Sequence, residues 1–189
     1  MVVKNIKQVA KKTLSESISI PSGVQCAFNG NVLSVSKGAV KLNRIFSEPS
    51  VTVRVEGDKL VFQSARSGKK ALKMIKSYIA HVNNIFKGLD EVFTYKLETC
   101  NVHFPMTLKV EKDRLAINNF LGEKSPRYAT ILPNVTVDVK GQIITVTSHD
   151  KELAGQTAAS IEKATKVRNR DRRVFQDGIY IIEKSGVAI

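Results

Sequence analysis

Short alternations of apolar and polar residues dominate the first sixty positions. Residues 17–20, 24–28 and 32–35 alternate at least in part, as half-buried strands do. Asn29, Gly30 and Asn31 separate the last two runs and supply hairpin-turn chemistry, because Asn and Gly tolerate positive φ. Further strands are predicted at 42–46, closed by Pro49, at 51–55 and at 60–62, with Glu56-Gly57-Asp58 as the turn between the last two. After Gly68 the period changes. Leu72, Ile75, Ile79, Val82 and Phe86 recur three or four apart, which puts them on one face of a helix, and Gly88 is placed to end it.

The pattern then begins again. Val51-Thr-Val-Arg-Val-Glu-Gly57 returns as Val135-Thr-Val-Asp-Val-Lys-Gly141, an offset of 84 from position 51 to position 135. Pro21 with Pro105, Gly38 with Gly122, and Pro49 with Pro133 keep that offset. Prolines and glycines in one register are informative because each marks a backbone position most residues fill poorly. The second copy predicts strands at 106–110, 115–119, 128–132, 135–139 and 143–146. Its helix is capped by Asp150, with Ala154, Thr157, Ala158, Ile161 and Thr165 facing inward, and the loop before it is about five residues shorter than in the first copy. The small inner residues predict closer packing than in the first helix. A final strand at 179–182 has no counterpart. Residues 89–98 read as a connector without Pro-rich or low-complexity character. Strands followed by one helix, twice, predict an α+β protein of two tandem similar domains, 1–88 and 89–189. Each would be a mainly antiparallel sheet covered on one face by one helix.

Charge changes the picture. The 189 residues carry 30 Lys+Arg against 17 Asp+Glu, a formal net charge of +13. A partner rich in negative charge is implied, either nucleic acid or an anionic surface. No apolar run approaches membrane-spanning length and no signal-peptide core stands near the first residue, so a membrane is not expected. Cys26 and Cys100 do not make a disulfide framework and read as small apolar fillers in a reducing compartment.

Basic residues collect in four places. Lys4, Lys7, Lys11 and Lys12 make an arm without acids. Lys69, Lys70, Lys73 and Lys76, preceded by Arg66, lie mostly off the apolar face of the first helix, and no acid occurs between Asp58 and Asp90. That face is either simply solvated or turned to phosphates. In the loop 118–127, Gly122 allows a tight turn and Pro126 stiffens the exit, presenting Lys124 and Arg127; it is either a phosphate-binding loop or an ordinary hairpin loop. The run Lys166-Val-Arg-Asn-Arg-Asp-Arg-Arg173 puts Lys166, Arg168, Arg170, Arg172 and Arg173 directly after a helix, where they can neutralise several phosphates at once. Phe175 and Tyr180 around a turn mark the segment 175–180 as ordered; Phe175 is a core residue or a stacking platform.

Catalytic patterns are missing. There is no Gly-rich phosphate loop, no nucleophile elbow, and His81, His103 and His149 are scattered without metal-site spacing. Neither cofactor nor small-molecule substrate is expected. Eight Phe, four Tyr and no Trp argue against base stacking as the main mode and favour backbone recognition of structured nucleic acid.

Three runs carry a resemblance: Asn119-Phe-Leu-Gly-Glu-Lys-Ser-Pro-Arg127, Glu152-Leu-Ala-Gly-Gln-Thr-Ala-Ala159, and Asn169-Arg-Asp-Arg-Arg-Val-Phe-Gln-Asp-Gly-Ile-Tyr180. With the tandem repeat they resemble the large-subunit ribosomal protein L-six family in its archaeal and eukaryotic form. The resemblance implies a cytoplasmic ribosomal protein, not an enzyme, with two similar α+β domains. It would bind large-subunit rRNA near the sarcin–ricin loop and factor-binding region, beside neighbouring ribosomal proteins and translation factors. By motif it implies RNA contacts from Lys124, Arg127, Arg168, Arg170, Arg172 and Arg173, with Gly178 and Tyr180 shaping the C-terminal end. Tyr128 stands where many relatives have a second basic residue, and Lys76 where many have glycine. A sequence-tolerant nucleic-acid chaperone and a small Asp- or His-dependent enzyme are the rival readings.

Overall fold

The computed structural model describes residues 13–65, 68–171 and 173–189. Lys4, Lys7, Lys11 and Lys12 of the basic arm, Arg66 and Arg172 lie outside the described residues. The protein is α+β; among the described residues there are two α-helices and only antiparallel strand pairs. The chain divides into two compact units, Met1–Leu89 and Asp90–Ile189.

The first unit contains β1 (Leu14–Ser19), β2 (Gln25–Asn29), β3 (Val32–Lys37), β4 (Val40–Ile45), β5 (Val51–Glu56), β6 (Lys59–Ser64) and α1 (Lys69–Asp90). Two three-stranded sheets result, in the orders β1-β6-β5 and β2-β3-β4. Alternation sets the register: Val51 and Val53 are buried while Thr52 and Arg54 face out, and Val53 pairs with Phe62. Gly57, at φ 56, turns β5 into β6; Gly141, its partner at the 84-residue offset, sits at φ 61 in the corresponding turn. Leu33, Val35, Val53, Leu60 and Phe62 form the core with Ile75, Val82 and Phe86 of α1.

Helix α1 differs from the sequence prediction in two respects. Its buried stripe is Ala71, Ile75, Tyr78, Val82, Phe86 and Leu89, whereas Leu72 is exposed and Ile79 only half-buried. Tyr78 can face inward because its ring packs 4.5 Å from that of Phe46 and its hydroxyl accepts the Glu48 N–H at 3.1 Å. Gly88 does not end the helix. It lies buried inside the last turn, because Leu89 continues the apolar stripe beyond it.

The second unit contains β7 (Phe93–Cys100), β8 (Thr107–Glu111), β9 (Arg114–Asn118), a 3-10 turn (Phe120–Gly122), β10 (Arg127–Thr130), β11 (Thr136–Lys140), β12 (Ile143–Ser148), α2 (Lys151–Ala164), β13 (Gly178–Lys184) and β14 (Val187–Ala188). Its sheets are β11-β12-β7-β13-β14 and β10-β9-β8. The expected connector 89–98 is corrected here: most of it is β7, the middle strand of the five. Tyr95, Leu97 and Thr99 face the core, while Lys96 on the other face pairs with Glu183 of β13 at 2.8 Å. Asp150 caps α2 by accepting the Glu152 N–H at 2.8 Å, and Ala154, Thr157, Ala158 and Ile161 are buried as their spacing predicts. A Cβ on Gly155 would lie 3.1 Å from the Tyr95 hydroxyl, so the helix rests closely on β7.

Candidate nucleic-acid interface

Two segments of the second unit carry most of the candidate residues: the loop entering β10 and the stretch from α2 to β13. Each is built around an internal anchor.

The loop coils tightly. Asn119, Leu121 and Gly122 have φ of 59, 50 and 77, and the Asn119 amide donates to the Pro105 carbonyl at 3.0 Å. Phe120 is buried beneath it. Arg127 is committed inward. Its Nε and Nη2 fork onto Glu123 at 2.8 and 2.6 Å, and its Nη1 donates to the Ala164 carbonyl at 2.9 Å. The guanidinium lies 4.3 Å from the centre of the Phe120 ring. A cation on the last carbonyls of α2 is well placed against the helix dipole. The hydrogen bond from Arg127 holds the Glu123 carboxyl below the ordinary carboxylate range; Arg170 contributes to the same shift through its charge. Lys124, by contrast, is exposed.

The second anchor is Asp177, 1% exposed. Its Oδ1 accepts the backbone N–H groups of Val102 at 2.8 Å and His103 at 3.0 Å, and its Oδ2 lies 2.6 Å from His103 Nδ1. Burial pushes this carboxyl upward, but the donors of His103 and Val102 outweigh it and hold the group below its ordinary value. His103 stacks on Phe175 with ring centres 5.2 Å apart, and the Arg170 guanidinium lies 4.7 Å from the centre of the Phe175 ring. Phe175 therefore packs between protein groups and against the core, not as an open platform. Thr165 ties the end of α2 to β13 by accepting the Ile179 N–H at 2.9 Å. Tyr180 covers Gly178, where a Cβ would meet its ring at 3.0 Å, and donates its hydroxyl to the Gln176 carbonyl at 3.1 Å.

On this pinned backbone Lys166, Arg168, Arg170 and Arg173 are all exposed, and the Arg173 side chain is 92% so. In the first unit Lys69, Lys70 and Lys73 are exposed on the opening turns of α1, which has no acid in its first turn; Lys76 pairs with Glu16 at 2.9 Å. Sequence reasoning passed over two cations, Lys163 and Arg114. Lys163 joins Arg127, Tyr128, Ala164 and Arg168 around a groove of about 340 Å³, and Arg114 stacks over Tyr128 at 4.2 Å. A last-turn helix position could have signalled Lys163; nothing in the spacing signals Arg114. Among the described residues no group of three His, Cys, Asp or Glu could hold a metal ion, and no helix is long and apolar enough to cross a membrane.

Residues 104–178, spanning both anchored segments, match the family described as Ribosomal protein L6. A large ribosomal subunit protein uL6 of Methanococcus vannielii is 43% identical over 173 residues, covering 92% of this chain and 95% of the relative. Its counterpart in Methanobrevibacter smithii is 40% identical over 176 residues, covering 93% and 99%. The chain belongs to the uL6 family. Members of the uL6 family are structural ribosomal proteins, not enzymes, and the rival reading of a small Asp- or His-dependent enzyme falls with that. The uL6 match begins beyond β7 and ends at the first residue of β13, so it encloses the Arg127 fork and Asp177, while Val102 and His103, which donate to Asp177, lie just before it.

Proposed function

We propose that this protein is a structural constituent of the large ribosomal subunit in the cytoplasm. It binds large-subunit rRNA through backbone phosphates near the sarcin–ricin loop and the factor-binding region, next to other ribosomal proteins and within reach of translation factors. The observation that carries the reading is the basic segment 166–173: Lys166, Arg168, Arg170 and Arg173 are exposed between Thr165, tied to Ile179, and the buried carboxylate of Asp177. Ordering those side chains before binding lowers the entropic cost of docking. Lys124, Arg172 and, in the first unit, Lys69, Lys70 and Lys73 supply further phosphate contacts. Arg127 acts differently from the motif-based expectation: with its donors on Glu123 and Ala164 it positions the loop that presents Lys124.

The two units are read as tandem copies of one design, with the junction near residue 88. Supporting this, β1-β6-β5 and β2-β3-β4 correspond in order to β7-β12-β11 and β8-β9-β10. The C-terminal copy adds β13 and the basic segment before it.

Filter binding to an archaeal large-subunit rRNA across a salt series tests the function. Wild type should show a steep slope, and alanine at Arg168, Arg170 and Arg173 together should flatten it by up to ~3 contacts. An unchanged slope, or equal affinity for unrelated RNAs as a nucleic-acid chaperone would show, refutes the reading.

A further inference from the structure

Tyr128 stands on the face of β10 opposite buried Ala129, on the edge strand of its sheet, and remains 48% exposed. A large aromatic ring there contributes little to the core. Yet it is held in place: Arg114, diagonal to it on β9, lays its guanidinium 4.2 Å from the ring centre and is itself tethered by Glu111 at 2.5 Å. Beside the ring lies the groove bounded by Arg127, Tyr128, Lys163, Ala164 and Arg168, with no carboxylate among its lining residues. Arg127 is committed to internal partners, which leaves Lys163 and Arg168, both exposed, as the cations available to a ligand. At about 340 Å³ the groove falls at the small end of ligand sites.

We propose that this groove takes one unstacked nucleotide of RNA, its base laid against Tyr128 and its phosphate between Lys163 and Arg168. An aromatic ring next to two cations matches the chemistry of a nucleotide, which offers a π face and a phosphate a few ångströms apart. A continuous duplex offers no free base face, so the site selects a bulged or looped position. The inference rests on the rRNA-binding reading and adds to it a contact made through a base instead of the backbone.

The test uses the full chain and an archaeal large-subunit rRNA, comparing wild type with Tyr128→Phe, Tyr128→Leu, Tyr128→Ala and the Lys163→Ala/Arg168→Ala pair across a salt series. Stacking requires Tyr128→Phe to bind within about twofold of wild type, and Tyr128→Leu and Tyr128→Ala to weaken binding roughly 5- to 150-fold with an unchanged salt slope. The Lys163/Arg168 pair should lower the slope by up to ~2 contacts. If Tyr128→Leu binds like wild type, the ring is not stacking and the proposal falls while the rRNA reading stands. If the cation pair leaves the slope unaltered, the phosphate half of the proposal falls. If wild type itself shows no salt-dependent binding, the proposal and the rRNA reading fall together.

Discussion

Replacing Asp177 by alanine removes the one acceptor that serves two backbone N–H groups and a histidine nitrogen across 74 or 75 residues of sequence. Hydrogen bonds to a charged group contribute about 1.5–3 kcal/mol each, and donors left unsatisfied in a buried site cost about 1–3 kcal/mol each. These contributions overlap, so a loss of about 3 kcal/mol in total is expected here. Asp177→Asn keeps one acceptor oxygen and should lose about 1–3 kcal/mol. For a unit of this size a 3 kcal/mol loss lowers the melting temperature by roughly 12–24 °C. The two units need not melt together, so thermal unfolding by circular dichroism should be paired with amide hydrogen exchange, in which Val102 and His103 report the anchor directly. The pH dependence has a fixed sign. Because the folded carboxyl lies below its ordinary value, its stabilisation is complete above the unfolded-state value of about 3.9. It is lost as pH falls through the folded value, and Asp177→Asn should abolish that acid-side loss. Unchanged protection at Val102 and His103 in Asp177→Ala, or an acid limb in Asp177→Asn as large as that of wild type, would refute the reasoning; Glu123 contributes the limb that remains.

The same geometry sets the outcome of three other substitutions. Arg127→Lys keeps the charge but not the fork; it should destabilise the protein by about 1–3 kcal/mol in urea unfolding while leaving the salt slope of RNA binding intact, whereas a direct phosphate contact would be rescued by lysine without loss of stability. Gly155→Val should cost about 1–3 kcal/mol in the same assay by forcing α2 away from Tyr95, while Gly155→Ala should come out nearer neutral, because a gain of roughly 1 kcal/mol in helix propensity offsets the tight 3.1 Å approach. Alanine at Lys69, Lys70 and Lys73 together should leave the melting temperature unchanged or slightly raised, since cations in a first helical turn oppose the dipole, and should reduce the RNA salt slope by up to ~3 contacts.

Much of this architecture was legible in the chain. Strand alternation located the hairpins within a residue or two, and the Asp150 cap with the inner face of α2 followed from spacing. Where the reading failed, an identifiable effect had won. The alternation of β7 is carried by Tyr95, Leu97 and Thr99 against Lys96 and Glu98, so two charges in a row of outward positions disguised a central strand as a connector. In α1 the stripe turned because a tyrosine with a satisfied hydroxyl displaced an isoleucine, which hydrophobicity alone ranks the other way. The candidate site was legible as a list of cations but not as a division among them. Nothing in the period of a coiled loop says that Glu123 faces Arg127, and the groove beside Tyr128 exists only because β10 and the end of α2 come together.

That division matters more than the net charge. A formal +13 describes long-range attraction and would be the same wherever the cations stood. Specific docking needs some cations held and others left available. Arg127 and Glu123 form a fork on a buried ring, and Asp177 closes the other end on two backbone donors, so three of the five guanidinium N–H groups of Arg127 serve the protein itself. Between these ends Lys166, Arg168, Arg170 and Arg173 are exposed, with Arg173 near Asp171 at 3.4 Å and Arg170 over the Phe175 ring. Arg170 shows the arrangement at the level of one residue: its charge lowers the Glu123 carboxyl and its guanidinium rests on Phe175, yet it remains exposed. An arginine steadied from behind by a ring loses less rotamer freedom when it meets an anion in front than one projecting freely from a tail. In the proposed docking, the internal ion pairs therefore act on RNA affinity indirectly, through the order they impose on neighbouring side chains.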